Sequence, residues 1–124
     1  MKNQRPINLD IGTIELPLAA KVSILHRISG VFLFFAVAVL LCLLDLSLSS
    51  AEGFAKAGEM LQLNIAKLVI WAILAGVIYH SVAGVKHLLM DIGIGESLEG
   101  GRRGAALTFL VSGVLIILAG VWVW

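Results

Sequence analysis

LVIWAILAGVIYHSVAGV, residues Leu68–Val85, holds no Asp, Glu, Lys or Arg and one histidine, His80. As a helix it is about 27 Å long, most of a bilayer's hydrocarbon thickness. An ionisable side chain at that depth is costly unless it faces a partner, so its default reading is functional. Imidazole is also a common axial ligand of haem iron. What His80 holds is therefore the central question.

Two more apolar blocks flank this one. Ile28–Leu44 is uncharged up to Asp45, and Gly104–Trp124 is uncharged to its end. The third block spans about 31 Å as a helix. With 60% hydrophobic and 14% charged residues in 124, the chain carries more apolar surface than a small soluble domain can hide. The pattern predicts an all-α integral membrane protein, one domain over 1–124, with three transmembrane helices at about 22–48, 65–90 and 104–124.

The segment RPINLDIGTIELP (Arg5–Pro17) is polar and mixed. It lacks the apolar core of a cleavable signal and the Arg/Ser-rich, acid-poor character of a transit peptide. The expectation is direct insertion into a bacterial inner membrane. Cys42 is the lone cysteine, which leaves no intrachain disulfide, and the absence of CxxCH excludes covalent c-type haem attachment. The net charge is +1, and no basic patch suits a nucleic-acid partner.

Lys2, Arg5, Lys21 and Arg27 precede or open the first span, and Lys86, Arg102 and Arg103 lie between the second and third. The opposite side has only Lys56 and Lys67. The positive-inside rule then predicts a cytoplasmic N-terminus and a periplasmic C-terminus. Trp71, Trp122 and Trp124 fall toward the outer interface in that arrangement. Pro6 and Pro17 keep the leading segment extended or turning, with a helix starting just after Pro17. Ser49-Ser50-Ala51-Glu52 is a capping-box pattern that predicts a short helix to about Met60. The glycine-rich segment Asp91–Arg103 reads as the turn between spans.

Gly76, His80 and Gly84 recur at four-residue spacing and share one face of the second span. That face suits a flat macrocycle beside an imidazole ligand, or the close approach of another helix; the centred histidine favours the haem face. On the third span Ala106, Gly113 and Gly120 recur every seven residues as a small-residue seam. Phe32, Phe34 and Phe35 read as lipid-facing or packing groups.

His80 and His87 are about 10 Å apart along one helix, whereas two nitrogens sharing an iron are about 4 Å apart. They cannot bind the same iron. His87 reads as an interfacial, snorkelling histidine, the alternative being a polar contact at a cofactor edge. His26, beside Arg27, suits haem propionates better than iron. The second axial ligand is then missing from this chain, which predicts a histidine from a membrane helix of another subunit. Ser23 and Arg27, at i and i+4, could donate hydrogen bonds to a quinone carbonyl and stabilise charge that develops on reduction. From spacing alone, ordinary capping and topology explain them better.

The combination of RPINLDIGTIELP, SILHRISG (Ser23–Gly30) and YHSVAGVKHLLMDIG (Tyr79–Gly93) resembles the cytochrome b subunits of bacterial succinate dehydrogenase. These are the larger membrane anchors of respiratory complex II. The resemblance extends over nearly the whole chain, including SSAEGF and the closing GVWVW. It implies that His80 is an axial ligand of haem b, with the other ligand supplied by a second membrane-anchor subunit. It implies that Ser23 and Arg27 line a ubiquinone site near the iron–sulfur subunit, and that His26 and Arg27 lie near the haem propionates. Lys86 stands where relatives often have arginine, which keeps the charge and alters any bidentate contact.

The implied role is electron transport between the tricarboxylic acid cycle and the respiratory chain. Electrons from succinate would pass through a flavoprotein subunit and the iron–sulfur subunit to quinone. This chain would anchor those subunits and would be no enzyme on its own, since it has no flavin motif and no cluster cysteines. A fumarate reductase anchor working with menaquinone is the nearest alternative. A non-redox three-helix membrane adaptor is the second, with His80 hydrogen-bonded between helices. A channel or transport subunit predicts more than one deep ionisable residue, and only His80 is deep.

Overall fold

The computed structural model describes residues 7, 9, 10 and 12–124. The readings placed on Lys2, Arg5 and Pro6 lie outside the described residues. All regular structure in the described chain is helical: α1 (Leu18–Ser49), α2 (Ala51–Leu61), α3 (Asn64–Asp91) and α4 (Leu98–Val123). Three of these, α1, α3 and α4, are long and apolar enough to cross a membrane.

Local chemistry sets the boundaries. Pro17 stands in extended backbone just ahead of α1, where its missing N–H costs nothing. Ser50 turns the chain between α1 and α2, and its hydroxyl accepts from the Gly53 N–H at 2.9 Å. After α3 the chain reverses through Gly93 (φ 90°) and Gly95 (φ 74°), left-handed positions that a side chain rarely adopts. Ser97 then caps α4, accepting from the Gly100 N–H at 2.9 Å. Arg103 pairs with Glu99 at 2.6 Å one turn later. The helix therefore starts ahead of the apolar block at Gly104, because charged residues that cannot enter lipid still support a capped turn.

The bundle has very little core. Val22 and Ile73 are the only large apolar side chains buried among the described residues; the rest of the buried apolar set is alanine. Leu48, Phe34 and Val121 are each about three-quarters exposed. In water that surface would drive aggregation, whereas in a bilayer it is simply the solvent-facing side. What holds the helices together is close backbone approach at small residues. The third span shows this by differing from the expected seam. Ala106 is exposed and Gly113 has nothing within 4 Å, while Gly101, Ala105, Thr108 and Ser112 are the buried residues of α4. Only Gly120 of the expected set meets a neighbour, the Trp71 ring, whose Nε1 donates to the Ile116 carbonyl at 2.9 Å. The buried set has the same seven-residue spacing, Gly101 to Thr108 and Ala105 to Ser112, but lies on a different face, one residue out of step with the expected seam.

Helix α3 packs against both α1 and α4, and α2 folds back on α1. His80 sits eleven residues before the end of α3, about 16 Å along the axis, and meets α1 there.

Candidate functional site

Helices α1 and α3 run antiparallel, and their contact is organised by glycine. A Cβ on Gly76 would lie 2.8 Å from Cε1 and 2.9 Å from Cδ1 of Phe32. One on Gly30 would lie 3.2 Å from Cε1 of His80, and one on Gly84 would lie 3.5 Å from Nε2 of His26. Phe32, Gly30 and His26 thus face Gly76, His80 and Gly84 in reverse order. This corrects the haem-face reading of the glycine spacing. The clearance at Gly76 and Gly84 admits side chains of α1, as small residues at a helix–helix contact do. The spacing shows where room exists and not what fills it.

Three imidazoles gather on this contact. The half-buried rings of His26 and His80 stack with centroids 4.1 Å apart and planes at 14°. His87 meets His26 at 5.1 Å, tilted by 58°, so the side chain read from the sequence as interfacial also joins the group. Ser29 lies between the two helices and is 9% exposed. Its Oγ donates to the His26 carbonyl at 2.6 Å and is 2.9 Å from Nδ1 of His80. Next to His80, the Tyr79 hydroxyl donates to the Val22 carbonyl at 2.8 Å, tying α3 to the start of α1.

The remaining predicted site residues are placed differently. Ser23 is half-buried and Arg27 is exposed, both in the N-terminal part of α1. Among the described residues neither makes a side-chain hydrogen bond to the histidine group. Lys86 is buried: its stem packs on Gly104 of α4, where a Cβ would lie 3.4 Å from Cε, and its ammonium donates to Met90 Sδ at 3.4 Å. It belongs to the α3–α4 contact.

The donor set fits one side of a b-type haem. His80 has one ring nitrogen engaged by Ser29 and the other available, the arrangement a metal-binding imidazole requires. Imidazoles on opposite faces of one iron have nitrogens about 4 Å apart and ring centroids roughly 6 Å apart. A 4.1 Å face-to-face stack has no room for a metal between the rings, so His26 cannot be the second ligand. Among the described residues no group of three or more His, Cys, Asp or Glu side chains could hold a metal ion. One imidazole on offer is what the described residues provide.

Residues 1–119 match the model of the succinate dehydrogenase/fumarate reductase transmembrane subunit family. The chain belongs to that family. It is similar to the succinate dehydrogenase cytochrome b556 subunit of Coxiella burnetii, 42% identical over the full length of both chains. The subunit of the same name from Rickettsia felis is 34% identical over 78% of this chain and 75% of its own. That from Paracoccus denitrificans is 27% identical over 94% and 90%. Family membership together with three apolar spans makes this a multi-pass membrane subunit of a larger oxidoreductase assembly, an anchor and not the catalytic subunit.

Within the family's matched span the sequence reading missed Ser29, Tyr79 and the part played by His87. Ser29 had a usable signal. It follows His26 by three residues, the reach of a serine hydroxyl to a preceding carbonyl, and it adjoins Gly30, which marks a close approach. Tyr79 is the only tyrosine of the chain, within an apolar run, where a phenol needs a partner.

Proposed function

We propose that this chain is the cytochrome b anchor of a bacterial succinate dehydrogenase, holding one side of a haem b through His80. A histidine of a second membrane-anchor subunit would complete the haem's ligation, and the iron–sulfur and flavoprotein subunits would dock on the cytoplasmic side of the inner membrane. The N-terminus is cytoplasmic and the C-terminus periplasmic. The observation that carries this reading is the His80 imidazole held between the apolar helices α1 and α3, with Nδ1 bound to Ser29 and the companion ring of His26, at the same height, stacked where it cannot serve as a second ligand.

Bound there, haem would supply a one-electron store close to the quinone. The chain's own part is to orient His80, through the Ser29 contact on one edge and the His26 ring on one face. His26 and Arg27 serve the propionate edge by hydrogen bonding and charge. Ser23 and Arg27 present a hydroxyl and a guanidinium on the membrane-edge turn of α1. Both are donors that bind a ubiquinone carbonyl and offset the negative charge it gains on reduction, with the proton delivered to its oxygen from the aqueous side. Neither lies within the histidine contact, so quinone and haem occupy adjoining, separate places.

The test is mild-detergent purification of the complex, wild type and His80→Ala, with identification of the co-purifying chains and quinone and a reduced-minus-oxidised spectrum. The expected result is three partner subunits and a b-type spectrum lost or altered in the variant, while membrane insertion is retained. An unchanged spectrum in His80→Ala removes the ligand assignment. Co-purified menaquinone in place of ubiquinone favours fumarate reduction.

A further inference from the structure

The hydroxyl of Ser29 has one proton, and the geometry states where it goes. The His26 carbonyl, 2.6 Å away, can only accept, so the Ser29 proton points there. The contact with Nδ1 of His80, at 2.9 Å, must then run the other way, with Nδ1–H donating to a lone pair of Ser29 Oγ. That leaves Nε2 of His80 without a proton. We infer that Ser29 is a positioning residue that fixes His80 in its Nδ1–H tautomer and so reserves Nε2 for the metal. The inference rests on the haem reading and adds to it a residue from the opposite helix that controls the ligand.

Three features make the arrangement a device and not an incidental contact. Ser29 is 9% exposed, so water does not compete well for its lone pairs. Gly30 beside it admits the His80 ring, since a Cβ there would lie 3.2 Å from Cε1. The His26 ring, stacked 4.1 Å away at 14°, restricts rotation of His80 about its own axis. The backbone carbonyl of His26 orients Ser29, and Ser29 orients His80: a chain of two hydrogen bonds that begins on a helix backbone and ends at a ligand. Outer partners of this kind fix ring orientation and raise ligand basicity, and their loss costs about 10–100-fold in metal affinity.

Threonine and valine are close in shape and differ in the hydroxyl, so the pair Ser29→Thr and Ser29→Val separates hydrogen bonding from packing. In the purified complex Ser29→Thr is expected to keep the wild-type haem-to-protein ratio and spectrum. Ser29→Val is expected to retain haem about 10–100-fold less tightly, measured by transfer to an apo-protein haem acceptor. A second readout needs no haem: ring 15N shifts of the full chain in micelles. His80 is expected in a single Nδ1–H form in wild type and Ser29→Thr, and as a mixture of tautomers in Ser29→Ala. Equal haem retention in Ser29→Val and wild type, or an Nε2–H form of His80 in the wild-type chain, overturns the inference. A wild-type complex that binds no haem overturns the ligand reading itself, and the nitrogen shifts then still report whether Ser29 sets the tautomer.

Discussion

Alanine at Gly76 discriminates sharply between a cofactor trough and a helix seam. The added Cβ would lie 2.8 and 2.9 Å from two ring carbons of Phe32 and 3.3 Å from Cδ2 of Leu33. Carbon atoms pack at about 3.5–4.0 Å, so the ring must retreat by roughly 0.6–1.2 Å. Overpacking of this kind costs about 1–3 kcal/mol. Phe32 is 42% exposed and can swing toward lipid, which places the cost in the lower half of that range. Against it stands the helix preference for alanine over glycine, about 1 kcal/mol. Gly113, with nothing within 4 Å, gains that preference unopposed and serves as the reference. Gly76→Ala should therefore be about 1–2 kcal/mol less stable than Gly113→Ala, measured by denaturant unfolding of the full chain in one micelle composition. Adding Phe32→Ala to both removes the overlap and should close the gap, a coupling that a double-mutant cycle reads directly. If Gly76→Ala and Gly113→Ala are equally stable, or if Phe32→Ala leaves the difference intact, Phe32 is not what fills the Gly76 clearance and the packing assignment of that face is wrong.

Arg27→Ala should slow quinone reduction by the complex much more than transfer to an artificial soluble acceptor, because the exposed guanidinium acts at the membrane-edge turn, on quinone and propionates, and not in the soluble subunits; parallel loss in both assays would signal failed assembly. Tyr79→Phe removes the 2.8 Å bond to the Val22 carbonyl. That carbonyl keeps its own helical partner, so unfolding of the chain should weaken by only about 0.5–1 kcal/mol, and a loss several times larger would mean that the phenol holds something besides Val22.

The legible part of this molecule was its solvent. Uninterrupted apolar blocks announce membrane helices because lipid imposes one rule on every lipid-facing position, and Pro17, Ser50 and Ser97 mark helix starts through local backbone chemistry alone. His80 stood out for the same reason: an ionisable group within a run of Leu, Val, Ile and Ala calls for a partner, and Ser29 supplies one. Interhelical register is another matter. Nothing in the composition of α3 says that Phe32 of α1 falls opposite Gly76, or that His26 falls beside Gly84, because those pairings depend on the axial offset of two helices joined through α2. A heptad count on α4 failed for the same reason. It registered small residues, whereas burial followed the face defined by Gly101, Ala105, Thr108 and Ser112.

A bundle in which Val22 and Ile73 are the only large buried apolar side chains of the described chain has few contacts with which to fix one register. Side-chain polar bonds between helices must then contribute to register as well as chemistry: Tyr79 to Val22, Ser29 with His80, and Trp71 to Ile116 join α3 to its neighbours at three heights. Each is worth only about 0.6 kcal/mol in a membrane setting, yet a slip of α1 against α3 by one turn would break the Tyr79 and Ser29 bonds together and drive Phe32 away from Gly76. The same small set of bonds that aligns the helices also presents the imidazole. In this fold, registry and ligand geometry are one constraint, so a substitution that shifts α1 should disturb the spectrum of the complex before it unfolds the chain.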